Sequence, residues 1–219
     1  MSDKYPSMSP YVYCADNPVK LVDPNGEDYE VVVDEKSKTI TIKATYYAAN
    51  ENKKTLQEGI NIWKAQSEKF TYTTGDDKNS KTYTIKFDLQ IADGNYQTDE
   101  DAVKALPLDG TSNLFQVVNN LDDRYGDARA VTDEGHHIKF LMGNGARTVA
   151  HEIGHTLGII DDTFGLMQSG GTDDNIEEPF IVQILSNSGI KSQYEWTWLG
   201  APAVNAKCKV SYDMKGVVK

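Results

Sequence analysis

No apolar run in this 219-residue chain approaches the roughly 20 residues that a membrane-spanning helix needs. That excludes an integral helical membrane protein as the first expectation. Cysteine is scarce: only Cys14 and Cys208, near opposite ends and in no C-x-x-C pair. Two isolated thiols are poor evidence for a disulfide framework, and two free cysteines are expected. Basic residues are also in deficit, with 22 Lys+Arg against 33 Asp+Glu and a formal net charge of -11. Such a balance argues against nucleic-acid partners and against adhesion to anionic membranes. The first residues, MSDKYPSMSPYVYCADNP, contain no apolar h-region. No signal peptide is therefore expected, and export would need another route or a longer chain. Internal repeats and low-complexity runs are absent as well.

What remains fits a globular protein, with 39% hydrophobic and 25% charged residues. The length allows one sizeable domain with a short tail. Residues 1–26 stand apart, holding four of the seven prolines (Pro6, Pro10, Pro18 and Pro24) and no periodicity. The expected division is a tail or linker over 1–26 and a folded domain over 27–219.

Within that domain, Tyr29 to Val33 and Thr39 to Tyr47 are rich in β-branched and aromatic residues. The polar stretch Asp34 to Lys38 separates them, which predicts a hairpin. Residues 52–69 read as a helix with Leu56, Ile60, Trp63 and Ile62 in its apolar stripe, and Gly59 weakens that pattern. Tyr83 to Ile91 alternates as a half-buried strand. Leu114 to Leu121 suits a short helix or a strand, with the neighbouring Asn and Asp pairs favouring the strand. His137 to Met142 predicts another strand. Asn144 is a candidate cap for a helix over about 145–157. A further helix is expected over 176–188, with Pro179 in its first turn and Gly189 at its end. Tyr194 to Trp198 and Lys207 to Met214 suggest late strands. The class is α+β.

The chemistry is concentrated in His151-Glu152-Ile153-Gly154-His155-Thr156-Leu157-Gly158-Ile159-Ile160-Asp161. On a helix, histidines four apart share a face, so both imidazoles can reach one ion. Glu152 then lies near the open side of the ion, where water would sit. With this composition, H-E-x-x-H alone arises by chance in roughly 1 of 250 such sequences, so the histidines predict a bound divalent metal. Gly158 can end the helix in a left-handed conformation. The chain can then turn back and bring Asp161 to the same ion. A straight helix would instead carry position 161 about 9 Å along the axis beyond position 155. Asp162 is a second candidate for that place, and Glu177 or Glu178 from the following helix is a third.

This pattern, H-E-x-x-H-x-x-G-x-x-D, resembles the metzincin clan of zinc metallopeptidases, in its snapalysin-like branch with an aspartate third ligand. The resemblance spans about residues 145–167. It implies one catalytic Zn²⁺ held by His151, His155 and Asp161, with Met167 in a tight Met-turn beneath. Met167 follows Asp161 by only six residues, a shorter interval than many members show, and no tyrosine follows it. The implied fold is a metzincin-like zincin: a twisted mixed sheet, a long packing helix, the active-site helix, the Met-turn and a C-terminal helix. The implied activity is endopeptidase cleavage of a protein or peptide substrate, with Glu152 as general base. Two other readings stay open: a gluzincin-type peptidase using Glu177 or Glu178, and a non-catalytic module stabilised by zinc.

The segment from Lys4 to Pro18, continuing through Asp23-Pro24-Asn25-Gly26, resembles the end of an RHS (rearrangement-hotspot) repeat-associated core. That family closes with a Y-x-Y-x-x-N-N-P-like run and then D-P-x-G, and Asp16 stands here for the first Asn. The resemblance implies that residues 27–219 are a variable C-terminal effector, often a toxin, delivered or secreted with the RHS system. An immunity or inhibitor protein is then an expected partner. His136 and His137 are read as one solvent-facing and one partly packed histidine. Asp122-Asp123, Asp173-Asp174 and the run Asp99 to Asp101 fit no calcium loop and are expected in solvated turns.

Overall fold

The computed structural model describes residues 29–74, 80–107, 109, 111–188, 191–192, 207–208 and 215–218. The tail over 1–26, Cys14, Gly189 and the strand expected over Tyr194 to Trp198 lie outside the described residues, and of the strand expected from Lys207 only Lys207–Cys208 is described. Among the described residues the chain is a mixed α/β protein, with ten strands in one curled sheet and four α-helices.

The expected hairpin forms. Strand β1 (Glu30–Asp34) pairs antiparallel with β2 (Thr39–Tyr47). Asp34 stabilises the turn by accepting hydrogen bonds from the backbone N–H groups of Lys36 and Ser37. Alternation along β2 buries Ile40, Ile42, Ala44 and Tyr46 on one face, as the two-residue period requires. Helix α1 (Lys53–Lys64) follows and buries Leu56, Ile60 and Trp63. It ends before residue 69 because the chain peels away to the sheet, where the Glu68 N–H donates to the Ile85 carbonyl.

Strand β3 (Thr71–Thr74) pairs antiparallel with β4 (Lys81–Ile91), and β4 runs parallel to β2. Helix α2 (Asp99–Ala105) comes next. The Asp99 to Asp101 run, read from the sequence as a solvated turn, is its first turn. Thr98 and Asp101 form a reciprocal capping box there, and acidic side chains suit a helix N-terminus.

Strand β5 (Ser112–Val118) settles the ambiguous middle segment as a strand, parallel to both β2 and β7. Strand β6 (Ala130–Asp133) pairs antiparallel with β7 (His137–Leu141). Helix α3 (Ala146–Thr156) carries the metal motif, and α4 (Glu178–Asn187) packs its apolar side chains into the core. Short strands β8 (Lys191–Ser192), β9 (Lys207–Cys208) and β10 (Lys215–Val218) join the sheet, β9 beside β1 and β10 beside β3.

Among the described strands the main path through the sheet runs β6-β7-β5-β2-β4-β3-β10-β8, which puts β6 at one margin. Asn144 is not the cap of α3. That place falls to Gly145, while the Asn144 amide donates to the Leu141 carbonyl.

Gly59, which weakens α1 as a free helix, is explained by packing. A Cβ there would lie 2.5 Å from Val149 Cγ1 and 3.0 Å from the Ala150 backbone nitrogen. Glycine therefore lets α1 and α3 approach closely, and the Trp63 indole N–H donates to the Ala150 carbonyl at 2.8 Å across the same contact. Gly59→Ala should lower stability by about 1–3 kcal/mol, measured as a fall in the urea midpoint. In an isolated helix the same change would stabilise by about 1 kcal/mol. A gain in the protein would show that the two helices do not meet at this glycine.

Candidate metal centre

Helix α3 is buried along most of its length, and His151, Glu152, Ile153 and Gly154 are all inside. Its end follows from Gly158, which adopts φ +79°. The Ile159 N–H donates to the Gly154 carbonyl at 3.0 Å, and the Gly158 N–H donates to the His155 carbonyl at 2.9 Å. These paired bonds define a Schellman close, which reverses the chain after a left-handed glycine. Reversal has two local products. It places the Ile159 carbonyl where His155 Nδ1–H donates to it at 2.8 Å. It also brings the Asp161 carboxylate back over the histidines, with Oδ1 3.1 Å from His151 Nε2 and 3.6 Å from His155 Nε2.

His151 is oriented from another direction. Its Nδ1–H donates to the Leu166 carbonyl at 2.9 Å. A carbonyl only accepts, so each neutral imidazole carries its proton on Nδ1 and leaves a bare lone pair on Nε2. Those two Nε2 atoms lie 3.2 Å apart. Three acceptor atoms thus converge, an arrangement that a shared proton or a metal ion would stabilise. Ligand atoms about 2.05 Å from a tetrahedral zinc are about 3.3 Å from one another. The observed separations of 3.1, 3.2 and 3.6 Å bracket that value. Two imidazoles and one carboxylate also suit zinc better than calcium or magnesium. Among the described residues, His151, His155 and Asp161 are the one group of three or more such side chains that could hold a metal ion.

Electrostatics of the metal-free site point the same way. Burial alone would lower the His155 pKa, but hydrogen bonding to Asp161 and the charge of Glu152 outweigh it, and the pKa is raised. The His155 hydrogen bond in turn lowers the Asp161 pKa. Proton and metal therefore compete for the same lone pairs. Glu152 is only 5% exposed. Burial raises its pKa, against the lowering effects of His155, the Thr132 hydrogen bond and His151.

Met167 is fully buried in the loop after Asp161. Its Sδ occupies the space where a Cβ on Gly154 would stand, 2.4 Å from that position. The methionine thus packs under the motif helix between the two histidines in sequence. Asp162 is turned into its own loop and accepts from the Thr163 N–H at 2.6 Å. Glu177 and Glu178 start α4 and do not belong to the converging group. Asp122 and Asp173 cap local turns, accepting from the Arg124 and Asn175 N–H groups. His137 is half-buried, bonded to Gln116, and held by burial down to about 4. His136 is part-exposed beside Glu134, and neither histidine lines the cleft.

An open cleft of about 940 Å³ lies over this centre, walled by β6, the start of α3 and residues 169–172. Sequence patterns do not reveal two of its polar residues. Thr132, on β6, donates to Glu152 Oε2 at 2.7 Å. Arg147 lies one helical turn before His151 and holds the 165–173 loop. A spacing of four residues from His151 hints at Arg147, whereas nothing in the sequence singles out Thr132.

No protein-family model matches the chain, and no curated protein or solved structure shows a significant match. No helix among the described residues is long and apolar enough to cross a membrane.

Proposed function

We propose that this chain is a zinc-dependent endopeptidase in which His151, His155 and Asp161 hold the ion and Glu152 moves the proton. The observation that carries this reading is the convergence of three acceptor atoms, at tetrahedral-edge spacing, beside a buried carboxylate that faces an open cleft. A bound zinc supplies Lewis acidity, polarising a carbonyl and making water easier to deprotonate. Glu152 accepts a proton from a water in the cleft and returns one to the leaving nitrogen. Thr132 fixes one carboxylate oxygen, leaving the other for that exchange. His151 and His155 are each oriented through Nδ1 by a backbone carbonyl, an arrangement that strengthens nitrogen ligands.

The cleft favours catalysis over a purely structural ion, since structural zinc sites usually have four protein ligands and no open side. The marginal strand β6 beside it leaves an extended edge where a peptide backbone can pair. The metzincin-like motif and the RHS-like segment over residues 4–26 extend the proposal to an effector domain of an RHS-type protein, opposed by an immunity protein.

Metal analysis of the purified protein should give one zinc per chain. Removing it with a chelator should abolish cleavage of an unfolded protein substrate, and added zinc should restore it. Full cleavage by metal-free protein would overturn this reading.

A further inference from the structure

Resting on the metal site just described, we infer that Arg147 is a positioning residue for His151, and that it joins the metal ligand to the wall of the cleft. The metal motif therefore begins one turn earlier than its histidines, as R-x-x-x-H-E-x-x-H.

Arg147 projects from the first turn of α3 onto the loop that follows Asp161. The two Nη2 hydrogens face three carbonyls, Gly165 at 3.2 Å, Leu166 at 3.0 Å and Gln168 at 2.9 Å, so one hydrogen is shared between two of them. Its Nε donates to the Asp173 carbonyl at 2.9 Å. The Leu166 carbonyl is the shared element. It accepts from Arg147 and, at 2.9 Å, from His151 Nδ1–H. A carbonyl has two lone pairs, so both donors can be served together. Positions 147 and 151 lie on one helix face, so a single rigid helix presents both donors to one acceptor.

The loop has little regular structure to hold that carbonyl. Its own backbone bonds are few: Asp162 N–H to the Met167 carbonyl, Gln168 N–H to the Gly165 carbonyl, Leu166 N–H to the Asn175 carbonyl and Gly171 N–H to the Gln168 carbonyl. A planar guanidinium holds its N–H groups in a fixed fork and reaches carbonyls from two nitrogens at once, whereas an ammonium donates from one rotating point. The carbonyls of Gln168 and Asp173 flank the segment over 169–172 that walls the cleft. One side chain thus sets both the acceptor that aims His151 and the position of the wall facing a bound substrate.

Zinc affinity should be measured by competition with a chromophoric chelator in the wild type, Arg147→Met and Arg147→Lys. Partners of metal-bound histidines contribute about 10–100-fold to affinity. Arg147 acts through one such partner, so Arg147→Met should lose affinity by about 10-fold, the lower end of that range, and Arg147→Lys should fall between it and the wild type. Amide exchange over 162–173 should quicken in Arg147→Met, and KM should rise. Thr98→Ala, which removes the capping box of α2 and costs about 1 kcal/mol, serves as a control for lost stability, and its zinc affinity should stay within about 3-fold of the parent.

Equal zinc affinity in Arg147→Met and wild type would overturn the inference. So would an equal loss in Thr98→Ala, which would make the effect one of general stability. A wild type that binds no zinc would instead defeat the underlying reading of the site. If Arg147→Met does not fold, Arg147→Lys decides: wild-type affinity together with quickened exchange over 162–173 would overturn the inference.

Discussion

Glu152→Gln should retain one zinc per chain and lose peptidase activity. A positioned general base contributes about 10²–10⁴-fold to rate, so kcat should fall by that range while KM changes little. The substitution is close to isosteric, and a glutamine oxygen can still accept from Thr132. His151, His155 and Asp161 keep their partners, so zinc affinity should stay near that of the parent.

Stability gives an independent check on the buried carboxylate. Burial raises the Glu152 pKa above its ordinary value. A raised carboxyl pKa means that folding favours the protonated form. Its contribution is full below the unfolded pKa and is lost as pH rises through the folded pKa. In metal-free protein, Glu152→Gln should therefore be more stable than the parent at neutral pH, with the gap closing towards acid. Zinc retention with undiminished cleavage would remove Glu152 from the mechanism. The same variant tests the effector proposal. Expression of the parent inside a bacterial cell should arrest growth, and Glu152→Gln should relieve the arrest. Harmless expression of a demonstrably active parent would weigh against a toxin.

Much of this arrangement is legible from local patterns, because the patterns themselves have local causes. Enrichment in β-branched and aromatic residues over Tyr29 to Val33 and Thr39 to Tyr47, and alternation over Tyr83 to Ile91, predict strands that the structure places in the sheet. The spacing of His151, His155, Gly158 and Asp161 predicts the site because every step in it is a helix turn or a helix end. Where the reading fell short, distant contacts decide. Gly59 counts against a helix by propensity, yet it is required by the close approach of Val149 and Ala150. Asn144 is a good cap by residue type, but its amide is occupied by the preceding strand. The acidic run at Asp99 to Asp101 reads as a turn until Thr98 is seen to close a capping box. Strand β6 is too short to show periodicity, and its place at the sheet margin comes only from pairing with β7. Thr132 and Arg147 belong to the site through tertiary hydrogen bonds that no sequence spacing encodes in full.

Asp161→Ala should lower zinc affinity by at least the roughly 100-fold that removing an outer partner of a ligand can cost, because it deletes an acceptor that meets the ion directly. The fold should tolerate the change. The Asp161 side chain is 61% exposed, and the Schellman close that precedes it depends on backbone groups and Gly158. Loss of metal without loss of structure is therefore the expected pattern, read by chelator competition alongside circular dichroism. Asp161→His should recover part of the affinity, since imidazole is a good zinc ligand and the chain reversal already aims position 161 at the site. Glu177→Ala provides the comparison. Glu177 stands at the start of α4, with its Cγ against Gly165 and outside the converging group. Its replacement should leave zinc affinity within about 3-fold of the parent, less than the roughly 10-fold minimum for a partner of a metal ligand. The two variants separate the alternatives in a single assay. If Asp161→Ala keeps its zinc and Glu177→Ala loses it, the third ligand comes from the next helix. Gly158 would then serve only to end α3, and the aspartate-type metzincin resemblance would lose its chemical basis.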